Sequence, residues 1–435
     1  MVIHPTQQYG VIGLGRSGLS TVEYLCQHGV TPLVFDTRDT PPLAAKLPDG
    51  VALLTGELTS HEDVLSGLDV LIVGPGLSIR TDLFKRLKHQ GKSVIGDVEL
   101  FAGAVDAPVI AITGSNGKTT VTTLVGEMAR EAGIEVAVGG NIGTPVLALL
   151  GQHAKLYVLE LSSFQLETTD NLRLRAATVL NVSADHMNRY HDLSDYRDAK
   201  LRIYQHCQCC IANADDPQSW PNAEVDSLQL FSIEKKADYW INESESALMI
   251  GDECLLHCQS LKMSGRHNWA NALAALALGD AAGIAREAMI RTLKRFSGLA
   301  HRCETVGYHQ GVRFINDSKA TNIGATIAAL QGFAYESGQT WLIAGGDGKG
   351  ADFNELSPWL APLAGLVVFG QDAARLQQVC PRAKRVDDLP QALSWCVAKA
   401  QKGDRVLLSP ACASLDMYSG FEARGEHFRQ LVEAL

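Results

Sequence analysis

Apolar and polar positions along this chain follow two periods, and their alternation predicts an α/β protein. Short continuous apolar runs end in turns of glycine and small polar residues, and helix-compatible stretches follow; this is how buried parallel strands joined by helices read. The run Tyr9-Gly10-Val11-Ile12 opens the series, with a helix from about Ser17 to Gly29 and a second strand over 32–35. DVLIVGPGLS predicts another strand ending at a Gly74-Pro75-Gly76 turn, and KSVIGDVELF a linking strand and turn. Strands follow over 109–112, 156–161 and 177–182. Residues 227–263 (LQLFSI, YWIN, ALMI, CLLHC) are richer in β patterning and predict added antiparallel strands. GRHNWANALAALALGDAAG reads as an alanine-rich helix closing at glycine. After a glycine-containing connection at 298–301, a third α/β unit carries strands over 312–316, 340–344, 365–369 and 405–409.

Length agrees with this division. At 435 residues, about 150 per domain suggests three. The boundaries fall at 1–96 for a Rossmann-like domain, 97–299 for a central P-loop mononucleotide-binding domain and 300–435 for a second Rossmann-like domain. No apolar stretch is long enough to span a bilayer, and MVIHPTQQYGVIGLG has no signal-peptide layout. The ten cysteines are scattered through apolar segments, which favours a reducing cytoplasm. A zinc site at Cys207, Cys209, Cys210, Cys254 and Cys258 has no recognised ligand spacing, and ordinary core and surface cysteines are the simpler reading. A net charge of −10 disfavours generic nucleic-acid binding but not small anionic substrates, because loop amides and local cations act at short range.

Candidate chemistry sits where strands end. The run Val109 to Ile112 leads into Gly114-Ser115-Asn116-Gly117-Lys118-Thr119-Thr120 and then a helix from Val121 to Arg130. Glycines let backbone N–H groups converge on a polyphosphate, Lys118 reaches the β/γ-phosphates and a threonine hydroxyl reaches Mg²⁺. The full P-loop pattern needs a glycine where Ile112 stands, so this is a compact variant; an exposed lysine in a glycine turn is the plain alternative. Gly13, Gly15 and Gly18 form G-x-G-x-x-G, with Asp36 where a Rossmann fingerprint places its ribose-binding acid. That fingerprint alone fits NAD, another nucleotide or nothing, but a dehydrogenase has no use for the triphosphate loop downstream. Glu160 lies inside an apolar strand, so it is paired in a salt bridge or metal-bound. His186, beside Asp185, reads equally as a metal-proximal ligand or a satisfied polar residue. Lys200, with Arg202 nearby, reads by composition as a solvated basic face.

Ordered motifs then converge on one family. ITGSNGKTT (112–120), GGNIG (139–143), LELSSFQLE (159–167), DHMNRY (185–190), YRDAKLRIY (196–204), SGRHNWANALAA (264–275), AHRCE (300–304), NDSKATN (316–322), GGDGKGADF (345–353) and SPACASLDMY (409–418) resemble those of the Mur ligases. The resemblance spans essentially the whole chain and is nearest to the branch that adds D-glutamate. It implies an ATP-dependent, cytoplasmic, monomeric ligase joining D-glutamate to UDP-N-acetylmuramoyl-L-alanine, with no nucleic-acid or membrane partner.

The resemblance also implies roles. The first glycine loop would hold the UDP moiety through Gly15, Arg16, Ser17, Asp36, Thr37, Arg38 and Gly76, while Asn141, Ser162, Gln165 and His186 would face the muramoyl end. ATP would lie between the central and C-terminal domains, on Gly114 to Thr120, Asn268, Asn271, Arg302, Asp317 and Lys319. Two Mg²⁺ ions would use Thr119, Glu160 and His186, with Lys200 carbamylated by CO₂ so that a cation becomes a carboxylate. Lys118, Glu160, His186, Lys200 and Arg302 would be the catalytic set. D-Glutamate would meet Thr321, Lys349, Ser414, Leu415 and Phe421, in a region where residues 417–420 depart from the family pattern. Read alone, Lys349 is also an ordinary exposed lysine in a glycine turn. Another Mur ligase, a folylpolyglutamate synthase, an NAD-dependent oxidoreductase and a nucleotide-regulated binding protein without turnover are the alternatives; SPACASLD and the UDP-type module argue against the folate enzyme.

Overall fold

A computed structural model of the chain describes residues 3–187, 189–263, 265–334 and 336–435. Asn188 and Ser264, members of two of the motifs, lie outside the described residues, as do Met1 and Val2 of the N-terminal stretch. Three sheets form along the chain, each built from the short apolar runs. The first holds β1 (Tyr9–Ile12), β2 (Leu33–Asp36), β3 (Leu53–Thr55), β4 (Val70–Val73) and β5 (Ser93–Ile95) in the order β3-β2-β1-β4-β5. All its pairings are parallel, the arrangement of a Rossmann half that opens its ligand crevice at the strand carboxyl ends. The strand predicted in KSVIGDVELF is β5, a full member of this sheet, and in place of a turn the helix Asp97–Ala104 follows at once.

The central sheet has nine strands: β6 (Val109–Thr113), β7 (Val136–Gly140), β8 (Leu156–Glu160), β9 (Ala176–Val179), β10 (Cys210–Asn213), β11 (Leu228–Ser232), β12 (Tyr239–Asn242), β13 (Ala247–Ile250) and β14 (Glu253–His257). Their order is β14-β13-β12-β11-β10-β9-β6-β8-β7. The prediction of antiparallel strands over 227–263 holds only for β13 and β14; β11 and β12 continue the parallel sheet. The mixed patterning of these short strands does not fix the direction of each neighbour, which the connection decides. The alanine-rich helix Arg266–Ala281 buries Asn271 to Gly279 against the sheet and the helix Lys118–Glu131. Small side chains on every face let it sit between two layers.

The C-terminal sheet runs β15-β16-β20-β17-β18-β19, with β15 (Glu304–His309), β16 (Val312–Asn316), β17 (Thr340–Gly345), β18 (Gly365–Phe369), β19 (Lys384–Arg385) and β20 (Arg405–Leu408). Only β15 is antiparallel. β15 and β19 escape the sequence pattern because both are partly exposed edge strands. Among the described residues no helix is long and apolar enough to cross a membrane.

Candidate active site

The phosphate loop leaves β6 and enters the helix Lys118–Glu131 through Gly117, whose φ of 86° suits glycine. A Cβ at Gly117 would also stand 2.4 Å from Asn271 Oδ1, so the loop packs directly on the alanine-rich helix. Asn271 Nδ2 donates to Asn268 Oδ1 at 3.2 Å, placing the two asparagines side by side as their three-residue spacing demands. Together with Asn116, Gly117, Thr120, Arg302, Asp317 and Lys319 they line one cavity of about 370 Å³ between the central and C-terminal domains. Burial pushes the Asp317 carboxyl up to about 7, although Ser409 Oγ (2.7 Å) and the Cys303 N–H (3.1 Å) donate to it. Burial likewise lowers Lys319 to about 8.

A second, smaller cavity of about 260 Å³ adjoins it and holds the reactive groups. Ser115 to Thr119, Asn141, Glu160, Asp185 and His186 come from the central domain, and Arg302, Lys319, Thr321, Asn322 and Lys349 from the C-terminal domain. Lys118 Nζ donates to the carbonyls of Gly114 (2.8 Å) and Ser115 (2.9 Å), and burial lowers its pKa. Glu160 ends β8, 2% exposed; Oε1 accepts from Asn141 Nδ2 at 2.7 Å, whereas Oε2 is buried with no hydrogen-bond partner. No salt bridge to Glu160 occurs among the described residues. An orphaned carboxylate oxygen beside a phosphate loop fits a divalent cation, and Thr119 lines the same cavity. Among the described residues no group of three or more His, Cys, Asp or Glu stands where it could hold a metal ion by itself.

Lys200 overturns its compositional reading. It lies on the helix Leu193–Leu201 but is only 1% exposed. Nζ donates to Gly114 O at 3.0 Å and sits 4.3 Å from the centroid of the Tyr196 ring. Burial first, then the Lys118 charge, drives its pKa well below the ordinary lysine value. His186 takes a left-handed φ of 57°, packs edge-on to Phe164, and burial lowers it to about 4, leaving the imidazole neutral at pH 7.

In the N-terminal domain the glycine loop forms as predicted: a Cβ at Gly18 would fall 1.9 Å from Gly13 O. Gly15, Arg16, Thr37 and Gly76 are exposed around the strand ends, and Ser17 is half-buried. Asp36 and Arg38, both expected at the UDP site, bond each other. Arg38 clasps Asp36 (2.7 and 2.8 Å) and donates to Leu14 O, while the Leu14 N–H donates to Asp36 (2.7 Å). These bonds brace the glycine loop, and they hold the Asp36 carboxyl down at about 2. Ser162 and Gln165 likewise bond each other, forming a capping box for the short helix Ser163–Leu166. The spacing Ser162-x-x-Gln165 carries that signal in the sequence.

The C-terminal residues do not all meet. Thr321 and Lys349 line the reactive cavity, but Ser414, Leu415 and Phe421 do not. Ser414 is buried, Leu415 is 73% exposed, and Phe421 stacks under Lys319 Nζ at 3.9 Å. Two residues gain importance from the structure alone. Arg424 is fully buried and binds Ser318 Oγ and the carbonyls of Ser318, Gly345, Cys412 and Ala413. It thereby ties together the three loops that carry Lys319, Lys349 and Ser414. Asp185 receives Lys349. No local pattern marks Arg424, and the pairing of Asp185 with Lys349 joins residues far apart in sequence.

The fold, a phosphate loop and a cation-rich cavity closed by a third domain define an ATP-type ligase of three domains. Residues 7–96 match the Mur ligase MurD-like N-terminal domain, 112–279 the Mur ligase middle domain and 301–412 the Mur ligase glutamate ligase domain. The chain is 48% identical over 430 residues to the UDP-N-acetylmuramoylalanine--D-glutamate ligase of Escherichia coli (strain K12), covering 98% of each chain. It is 47% identical to the protein of that name from Mannheimia succiniciproducens, covering 97% of each. The chain belongs to the Mur ligase family. Its fold is similar to that of a pseudomurein peptide ligase type C from Methanothermus fervidus (TM-score 0.61, 18% identity, 99% and 100% of the two chains). It is also similar to MurF of Thermotoga maritima solved with ADP (TM-score 0.60, 17% identity, 99% and 96%).

Proposed function

We propose that this chain is an ATP-dependent amide ligase that adds D-glutamate to UDP-N-acetylmuramoyl-L-alanine in peptidoglycan precursor synthesis, releasing ADP and phosphate. The observation that carries this reading is the reactive cavity itself. Phosphate-loop groups face Lys319, Thr321 and Lys349 across a single space, as a reaction between a phosphorylated acyl group and an amino acid requires. The relatives bearing the ligase name cover the whole chain at 47–48% identity.

The substrate carboxylate attacks the γ-phosphoryl group of ATP, and ADP leaves an acyl phosphate. The amine of D-glutamate then attacks the acyl carbon, and phosphate departs from the tetrahedral intermediate as the amide forms. Lys118 and Arg302 meet charge developing on the phosphoryl oxygens. Asn268 and Asn271 lie at the adenine side. Lys349, with the Thr321 hydroxyl, suits the side-chain carboxylate of the amino acid. No protein nucleophile takes part. Glu160 and Thr119 would hold Mg²⁺, with neutral His186 beside a second ion; a bound ion supplies charge neutralisation at the phosphates. Lys200 fits carbamylation: CO₂ adds to a neutral amine, and burial holds the amine toward that form. The reading includes a cytoplasmic, monomeric enzyme.

Phosphate release is to be followed with ATP, Mg²⁺, UDP-N-acetylmuramoyl-L-alanine and each candidate amino acid in turn. Release with D-glutamate and not with L-glutamate, L-lysine or L-alanine is expected. Turnover with another amino acid defeats the specificity, and no turnover with any of them defeats the ligase reading. For Lys200, a Lys200→Ala variant is expected to be nearly inactive and partly restored by added short carboxylates; an active variant overturns the carbamate.

A further inference from the structure

Asp185 follows β9 and has an 11% exposed side chain. Each of its oxygens is committed. Oδ1 accepts from Lys349 Nζ at 2.6 Å and from the His186 N–H at 2.9 Å. Oδ2 accepts from Asn322 Nδ2 at 3.1 Å. Lys349 and Asn322 belong to different loops of the C-terminal domain, so one central-domain carboxylate holds that domain at two points. Asn322 is itself fixed, because its Oδ1 caps the helix Ile323–Phe333 by accepting from the Ala325 N–H at 2.8 Å, and Nδ2 also reaches Asn116 Oδ1 at 3.3 Å. Two residues on, a Cβ at Gly324 would stand 2.6 Å from Ser183 Oγ and 3.4 Å from Asn116 Nδ2. The start of this helix therefore rests against the phosphate loop with no room for a side chain.

The chemistry of the three donors demands a carboxylate. Lys349 Nζ, Asn322 Nδ2 and the backbone N–H all donate, and an ionised aspartate accepts on both oxygens, whereas asparagine would turn a donor toward one of them. Lysine carries a long flexible stem, and anchoring its ammonium removes rotamer freedom that an incoming ligand would otherwise have to remove. One of the three ammonium donors is taken by Asp185, leaving two for a substrate carboxylate.

We propose that Asp185 is a positioning residue for the incoming amino acid: acting through Lys349 and Asn322, it seats the C-terminal domain on the phosphate loop and holds the lysine ready for the amino acid's side-chain carboxylate. This rests on reading Lys349 as the cation of the amino-acid site.

The test is a double-mutant cycle in KM for D-glutamate, with ligand-induced compaction followed by small-angle scattering and fold checked by circular dichroism. Asp185→Asn is expected to raise KM for D-glutamate about tenfold or more while KM for ATP and the UDP-substrate stays within about twofold. In a Lys349→Ala background the further effect of Asp185→Asn should be clearly smaller than in the parent, only the part carried through Asn322 remaining. An unchanged KM for D-glutamate in Asp185→Asn, or effects that multiply in the double variant, overturns the proposal. If Lys349→Ala alone leaves that KM unchanged, the amino-acid-site reading fails. Compaction with an ATP analogue and UDP-substrate then decides the seat: compaction like the parent's in Asp185→Asn overturns it, and lost compaction retains it. Should Asp185→Asn not fold, Gly324→Val serves: a raised KM with lost compaction supports the seat, and parental values for both overturn it.

Discussion

The central domain meets its two neighbours by different physics. Toward the N-terminal domain a single apolar cluster runs without a break from Tyr9, Val11 and Leu14 through Phe101 to Tyr157, Leu161 and Tyr196. Arginines stitch its polar edge: Arg80 bonds Glu167 and Asp195 and lies over the Tyr190 ring, while Arg189 bonds Glu167 and the Pro75 carbonyl. Toward the C-terminal domain, whose own apolar clusters are separate, contact at the reactive cavity is polar and includes Asp185–Lys349, Asp185–Asn322 and Asn116–Asn322. Continuous apolar burial holds a seam whatever is bound; a few polar contacts to groups that also serve substrates make a seam that ligands can bias. The N-terminal seam is thus built as a fixed platform, and the C-terminal one is expected to be the part that ligands close, which small-angle scattering with and without ligands checks.

The sharpest way to break this contrast is Glu167→Ala. The Glu167 side chain is 6% exposed and serves both Arg80 and Arg189. Its loss takes the carboxylate partner from the 10% exposed Arg189 and one of two from Arg80, and should cost about 3 kcal/mol in urea unfolding. A loss below about 1 kcal/mol would mean that the apolar cluster alone holds the platform.

Next in size is acid sensitivity. Asp36 has its carboxyl depressed to about 2 by Arg38. A depressed acid contributes stability that is full above its unfolded value of 3.8 and is lost as pH falls through about 2. The advantage of the parent over Asp36→Asn should therefore be on the order of 2 kcal/mol near pH 5 and shrink toward pH 2. A constant difference across that range would show that the Asp36 charge is not what braces the glycine loop.

Arg80→Ala should cost about 1 kcal/mol, because that side chain is 37% exposed and water screens its pairs. The smallest expected change in unfolding is at the C-terminal seam. Lys349→Ala should alter unfolding free energy by less than about 1 kcal/mol, yet raise KM for D-glutamate sharply while changing that for the UDP-substrate less. Equal destabilisation by Lys349→Ala and Glu167→Ala would erase the distinction between the seams.

Much of this was legible in advance. Strands, the phosphate loop and the glycine fingerprint depend on neighbours within a few residues, so apolar period and glycine spacing report them. Asn268 and Asn271 share a helix face by spacing alone. The direction of β11 and β12 was not legible, and neither were the edge strands β15 and β19, since pairing partners are chosen across the fold.

Charge is where sequence reading stops. The sequence by itself determined which residues stand at strand ends and which chemistry they can carry. Only the tertiary structure decided that Lys200 is buried beneath Gly114, that Arg38 is occupied by Asp36 rather than free, and that Asp185, 164 residues away in the chain, receives Lys349. The reason is physical. Backbone geometry is a local property, whereas the state of a charge depends on every group brought near it and on the water that folding removes.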